Sequence, residues 1–265
     1  MADQRQLLAI KRAVRANEHD TVRRLLREDP QLVLTRGHGW TPFQDAAFQA
    51  KTACMRVMLA EGAGISPADI AQGLHHAVQL PHVDSEMVEV LLGTGKVSQS
   101  FCLLFRGDLD GLGRLAVASP DIVHERDAAG CPLLVRAAEN AEEQIVRLLL
   151  GRGGDIEARG PFGKSALSSC SCNQVDRKKR SRTLRLLLDS GAEIDGRTWR
   201  GRTALFSAAT AGWAPELSVK ILLEYGADVN VRNDDARTAL EEVLLQPSPR
   251  SHRVAQLLRQ AGAGT

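Results

Sequence analysis

The stretch GRTALFSAATAG, Gly201–Gly212, decides the fold, because its glycine, threonine and alanine pair return along the chain. Gly39 opens GWTPFQDAAFQA, Gly130 opens GCPLLVRAAENA, Gly163 opens GKSALSSCSCNQ and Ala236 opens ARTALEEVLLQP. The steps from Gly130 to Gly163, Gly163 to Gly201 and Gly201 to Ala236 are 33, 38 and 35 positions. Self-similarity at such a period marks a repeat architecture, with short insertions lengthening the later two units.

A second apolar run follows the first at each return: VRRLLRE, MRVMLAEGA, MVEVLLGTG, IVRLLLGRGGDI, LRLLLDSGAEI, VKILLEYGADV and VAQLLRQAGA. Its apolar residues recur at three and four positions, which places them on one helical face. Glycine directly after the run ends it, because the C′ position takes a left-handed backbone that glycine adopts without a Cβ penalty. Each unit therefore reads as a turn, a short helix, a second helix and an extended exit. A helix pair this short cannot bury its apolar face alone, so the units must stack, and the alanine pairs let neighbouring helices approach.

The strings GWTPFQDAA with AEGAGI, GRTALFSAATAG with LLEYGADVN, and LLDSGAEID resemble ankyrin repeats. The likeness is strong over Gly39–Ile65 and Gly130–Asn233. Gln4–Val33 resembles an opening unit without its turn, Ile65–Val97 keeps AQGLHHAV but loses threonine and proline, and Ser98–Asp127 is the most degenerate. The resemblance implies an all-α fold, a single ankyrin-repeat solenoid over 1–265 of about eight stacked helix-turn-helix units with short hairpin-like turns. The expected units are roughly 4–36, 37–66, 67–97, 98–127, 128–160, 161–198, 199–233 and 234–265, with a basic insertion near 173–183.

Three segments depart from the pattern. CSCNQVDRKKRSRT, Cys170–Thr183, reads as a solvated loop insertion carrying Arg177, Lys178, Lys179, Arg180 and Arg182. WAPE, Trp213–Glu216, sets an aromatic and a proline between two helices. The two prolines of QPSPRSHR, Gln246–Arg253, predict a displaced or shortened last helix.

Composition fits this reading. Of 265 residues, 43% are hydrophobic but only 4% aromatic, which suits closely packed short helices. Lys+Arg 34 against Asp+Glu 32 leaves +2, so no global field draws the chain to nucleic acid or an anionic membrane. The five cysteines, Cys54, Cys102, Cys131, Cys170 and Cys172, read as buried free thiols. The charged, amphipathic start and the absence of a membrane-length apolar stretch predict a soluble intracellular protein, cytoplasmic with the nucleus as alternative.

The resemblance implies a binding scaffold whose surface is the concave face formed by the turn tips and the exposed side of each first helix. By position that surface holds His38, Trp40, Phe48 and Gln49, then Glu139 and Asn140, then Phe162, Lys164 and Asn173, then Trp199, Arg200, Arg202 and Thr210, and finally Asp234, Asp235 and Arg237. The residues expected to bind a protein partner are Trp199, Arg200, Arg202, Trp40, Phe48, Phe162, Lys164, Arg237 and Asp235, since exposed aromatics and arginines make interface hot spots. RTWRGR, Arg197–Arg202, is the densest cluster. The bland alternative is that these tips are only solvated polar turns. The protein is expected to act by occupancy as a monomeric adaptor, inhibitor or assembly factor, and not as an enzyme.

Other chemistry is weakly supported. His75, His76, His82 and Asp84 invite a metal reading, but His75 falls at the histidine of the family's TPLH motif and His76 on another side of the same helix. Cys170 and Cys172 make C-x-C without a second cysteine pair. No phosphate loop, nucleophile elbow or H-E-x-x-H is present, GRGGDIE ends a helix rather than opening one, and Asp234 with Asp235 reads as a solvated tip. No metal, cofactor or catalytic residue is therefore expected. DRKKRSR lacks the interleaved aromatics of a nucleic-acid module. The competing function is a small-molecule or catalytic cleft in the irregular middle, lined by His75, His76, Cys102 and Arg106.

Overall fold

The computed structural model describes residues 4–36, 39–78, 85–172, 176–211, 215–245 and 248–263. These residues are all-helical, with sixteen α-helices and short 3-10 turns, and hold no strand beyond an isolated bridge between Arg126 and Pro132. The chain divides into two compact units, Met1–Phe105 with Asp127–Ala129 and Arg106–Arg126 with Gly130–Thr265.

The first unit is built from α1 (Gln4–Arg15), α2 (His19–Glu28), α3 (Pro42–Phe48), α4 (Thr52–Glu61), α5 (Pro67–Val78), α6 (Ser85–Leu92) and most of α7 (Gln99–Arg106). The odd-numbered helices α1, α3 and α5 pack in a row, as do the even-numbered α2, α4 and α6, and each helix also packs on its partner. A single core fills the space between the rows, from Ile10, Leu26 and Phe43 through Met55 and Ile70 to Met87 and Leu91.

The second unit follows the same plan. It contains α8 (Leu109–Ala118), α9 (Leu133–Glu139), α10 (Glu143–Gly151), α11 (Ala166–Cys172), α12 (Arg177–Asp189), α13 (Ala204–Ala209), α14 (Pro215–Glu224), α15 (Ala239–Leu244) and α16 (Pro249–Gln260). α9, α11, α13 and α15 stack in order, and α10, α12, α14 and α16 stack behind them. The alanine pairs permit this close approach: Ala137, Ala138, Ala208 and Ala209 are buried between first helices.

The recurring threonine is a helix cap. Thr41, Thr203 and Thr238 accept hydrogen bonds from the N–H groups of Gln44, Phe206 and Glu241, and Ser165 accepts from Ser168. Such caps are each worth about 1 kcal/mol. The unit read as having lost threonine and proline in fact keeps the device. Ser66 precedes Pro67, and its hydroxyl accepts from the Asp69 N–H while the Asp69 carboxylate accepts from the Ser66 N–H at 2.9 Å.

Two expectations are corrected. The basic segment is not a solvated loop from Asp176 onward, but the cap and first turns of α12. Asp176 accepts from the N–H groups of Lys178 and Lys179 at 2.9 and 3.0 Å, and Arg180, Thr183, Leu184, Leu187 and Leu188 are buried along one face. The last helix is neither short nor displaced: α16 spans 12 residues and Pro249 is its first. Proline is harmless there because that N–H has no helical partner, and Ser248 caps the end by accepting from the Ser251 N–H at 3.0 Å. Trp213 lies outside the described residues.

Candidate functional site

The tips of the second unit are hairpin turns tightened by left-handed backbone. The Thr198 N–H donates to the Arg202 carbonyl at 2.7 Å, and Trp199–Gly201 forms the turn between them. Arg200 and Gly201 both have positive φ, 62° and 65°; Phe162 and Gly163 repeat this one unit earlier, at 60° and 66°. A Cβ on Gly201 would clash with Asp234 Oδ1, so glycine is required there on two counts.

These turns bring three of the expected residues together. The rings of Phe162 and Trp199 lie 5.9 Å apart at 54°, and the Arg200 guanidinium lies 4.6 Å over the Trp199 ring. Phe162 is 69% exposed and Trp199 58%. Lys164 leaves the neighbouring turn and is partly exposed.

Arg202 and Arg237 are brought together elsewhere, as structural ties. Both reach Glu242 on α15, at 3.0 and 3.2 Å, and the Arg202 guanidinium covers the Phe206 ring at 5.1 Å. Asp235 is exposed at the next tip, where its N–H donates to Asn233 Oδ1. Asp234 joins that tip to the previous one through its N–H, which donates to the Arg200 carbonyl at 3.0 Å.

In the first unit Trp40 and Phe48 also meet, Trp40 37% exposed and Phe48 half-buried. Their centroids are 4.4 Å apart, edge to face, and His76 stacks on Trp40 at 4.7 Å. Gln49 is the C-cap of α3, and His38 lies outside the described residues.

Among the other surface expectations, Glu139 is corrected. It is 4% exposed and pairs with the equally buried Arg136 at 2.8 Å, because positions three apart on a helix face each other. Thr210 turns its hydroxyl back to the Phe206 carbonyl at 2.9 Å, while Asn140 is the half-buried C-cap of α9. Asn173, His82 and Asp84 lie outside the described residues.

All five thiols are free, with Cys54, Cys131 and Cys170 buried as expected but Cys102 and Cys172 only partly so. Burial pushes the Cys170 thiol far above its ordinary value, and Cys172 upward as well, holding both protonated. Cys172 donates to the Ser168 carbonyl at 3.4 Å. A groove of about 840 Å³ lies between α4 and α6 in the first unit, lined by Arg56, Leu59, Ile65, Glu86, Val90 and Lys96. None of His75, His76, Cys102 or Arg106 lines it. Among the described residues no group of three or more His, Cys, Asp or Glu could hold a metal ion, and no helix is long and apolar enough to cross a membrane.

Residues 175–263 match the family model for ankyrin repeats, in three copies. That stretch is built of ankyrin repeats. The match covers α12 to α16, the stretch containing the Trp199 turn, and no curated protein matches the chain. Repeats of this family mediate protein–protein interaction.

An ionic ladder in the repeats escaped the sequence reading. Arg126 donates to the Gly130 carbonyl and, one repeat on, to the Arg159 carbonyl at 2.7 Å. Arg159 pairs with Glu157 and Glu193 at 2.9 and 3.4 Å, and Glu157 accepts from the Glu193 N–H. The signal was present in the recurrence of arginine just before each turn, at Arg126, Arg159, Arg197 and Arg232.

Proposed function

We propose that this ankyrin-repeat protein is an interaction scaffold, an adaptor, inhibitor or assembly factor, that holds a protein partner at the turn tips of its second unit. The observation carrying this reading is the Phe162–Trp199–Arg200 cluster, where two large rings stay exposed beside a guanidinium on rigid turns. Aromatic and arginine side chains on a preformed surface are what hot spots require. Arg202 and Arg237 tie the adjoining turns to Glu242 on α15. Lys164 and Asp235 flank it, and Trp40 with Phe48 belongs to the packing of the first unit.

Affinity capture from native extract tests the reading, comparing the wild type with a Trp199→Ala, Arg200→Ala variant of unchanged melting temperature. A protein retained only by the wild type supports it. Equal capture by both places the partner elsewhere.

A further inference from the structure

We infer that the Phe162–Trp199–Arg200 tip takes an acidic peptide segment bearing one apolar anchor residue, an inference that rests on the scaffold reading above. Three independent observations point there.

The first is backbone conformation. Among the described non-glycine residues with positive φ, Asn17, Ala50, Ala141 and Ala236 are small, whereas Phe162 and Arg200 are bulky. A left-handed backbone is disfavoured for residues with a Cβ, and strained positions that persist cluster at binding sites. Glycine would suit both turns better, so the two side chains answer to something other than the fold.

The second is charge. Ion pairing is common in this unit: Arg159, Arg185, Arg202, Arg232 and Arg237 each hold a carboxylate. Among the described residues Lys164, Arg197 and Arg200 hold none; Arg200 lies over the Trp199 ring, and Lys164 and Arg197 flank Phe162 and Trp199 along the chain. Unpaired cations around an apolar patch complement an anionic segment and would steer its approach.

The third is the disposition of apolar surface. The Arg200 guanidinium occupies one side of Trp199, and the remaining ring surface adjoins Phe162, whose own ring is mostly bare. That suits a single aliphatic or aromatic anchor better than stacked bases. Asp234 and Asp235 are exposed at the next tip, so the acidic segment is a short one that ends at Trp199, where a polyphosphate strand would run on to meet them.

Selection of a random short-peptide library on the immobilised full chain tests this, followed by titration of the enriched peptides and, separately, of single-stranded oligouridine. The comparison variants are Trp199→Ala and Arg200→Gly; the latter relieves the left-handed turn, so its loss of binding cannot be ascribed to misfolding. Enriched peptides should carry net negative charge and an apolar residue, and bind each variant about tenfold or more weakly. Enriched peptides that are neutral or basic, or that bind both variants as tightly as the wild type, overturn the inference but leave the scaffold reading standing. No enrichment over blank support overturns both. Oligouridine binding that is lost in the same variants assigns the tip to nucleic acid and overturns the acidic-peptide inference.

Discussion

Trp40 and Trp199 both lie at turn tips beside a glycine, yet their neighbours give them opposite fates. Trp40 is 37% exposed because His76 stacks on it and Phe48 meets it edge on. Trp199 is 58% exposed because its neighbouring ring, Phe162, is itself 69% exposed. A tip aromatic in a stack of repeats is thus partly covered or left bare according to what the adjacent unit supplies. The same division separates Arg136, buried against Glu139, from Arg200, left on the surface over Trp199.

The arginines should show the widest gap. Arg136→Ala removes the arginine paired with the buried Glu139 carboxylate and is expected to cost about 3–5 kcal/mol in urea denaturation, while Arg200→Ala stays within about 0.5 kcal/mol. Comparable losses for the two would erase the distinction between buried and tip cations.

Beneath the Trp199 turn, Ala208 is fully buried between first helices. Ala208→Leu should overpack that contact by roughly 1–3 kcal/mol. A variant that melts like the parent would show that the repeat register is misassigned.

The two tryptophans themselves come next. Trp40→Ala forfeits its ring contacts and should lower stability by about 1–2 kcal/mol, against about 0.5 kcal/mol or less for Trp199→Ala. Thermal melts of both variants decide this; equal shifts would make Trp199 a fold residue as well.

A smaller change of opposite sign is expected at the strained turns. Arg200→Gly and Phe162→Gly should raise stability by up to about 1 kcal/mol. Relief of the left-handed backbone, about 1–2 kcal/mol, exceeds the unfolded-state entropy that glycine adds, roughly 0.4–1 kcal/mol. A lower melting temperature in both would mean that the side chains serve the fold.

The smallest effect is one of pH at the start of α12. The N–H groups of Lys179 and Lys178 hold the Asp176 carboxyl below its ordinary value. Its folded pKa lies under its unfolded one, so its contribution is present above the ordinary carboxylate range and fades as pH falls through the folded value. Asp176→Asn should therefore narrow the gap in urea midpoint between neutral and acidic solution. An unchanged gap would show that the carboxylate plays no part in acid sensitivity.

The fold was legible where its determinants are local. Turn glycines, alanine pairs and three-and-four apolar runs all act within a few residues, and the all-helical fold read from them is the fold of the described residues. Misreadings arose where one residue type serves two ends. Proline was read as a breaker near Pro249, where it opens α16, and consecutive basic residues hid the buried face of Arg180, Thr183 and Leu184. Ser66 escaped notice as a substitute for threonine.

The site was less legible than the fold because exposure is settled by distant partners. Glu242, forty residues along from Arg202 in sequence, decides that this arginine is a tie. Arg136 decides that Glu139 is buried, and His76 decides that one face of Trp40 is stacked. Phe162, Trp199 and Arg200 stand among the candidates read from sequence, but nothing local to them announces that their rings stay bare.

The central claim is that Trp199 serves a partner while Trp40 serves the fold. Calorimetric titration of one library-selected peptide into the wild type, Trp199→Ala and Trp40→Ala, each with its melting curve, tests it most directly. The account predicts that Trp199→Ala weakens binding about tenfold or more at an unchanged melting temperature, and that Trp40→Ala lowers the melting temperature while the folded fraction binds normally. Undiminished affinity in Trp199→Ala, with affinity lost in Trp40→Ala, would contradict it.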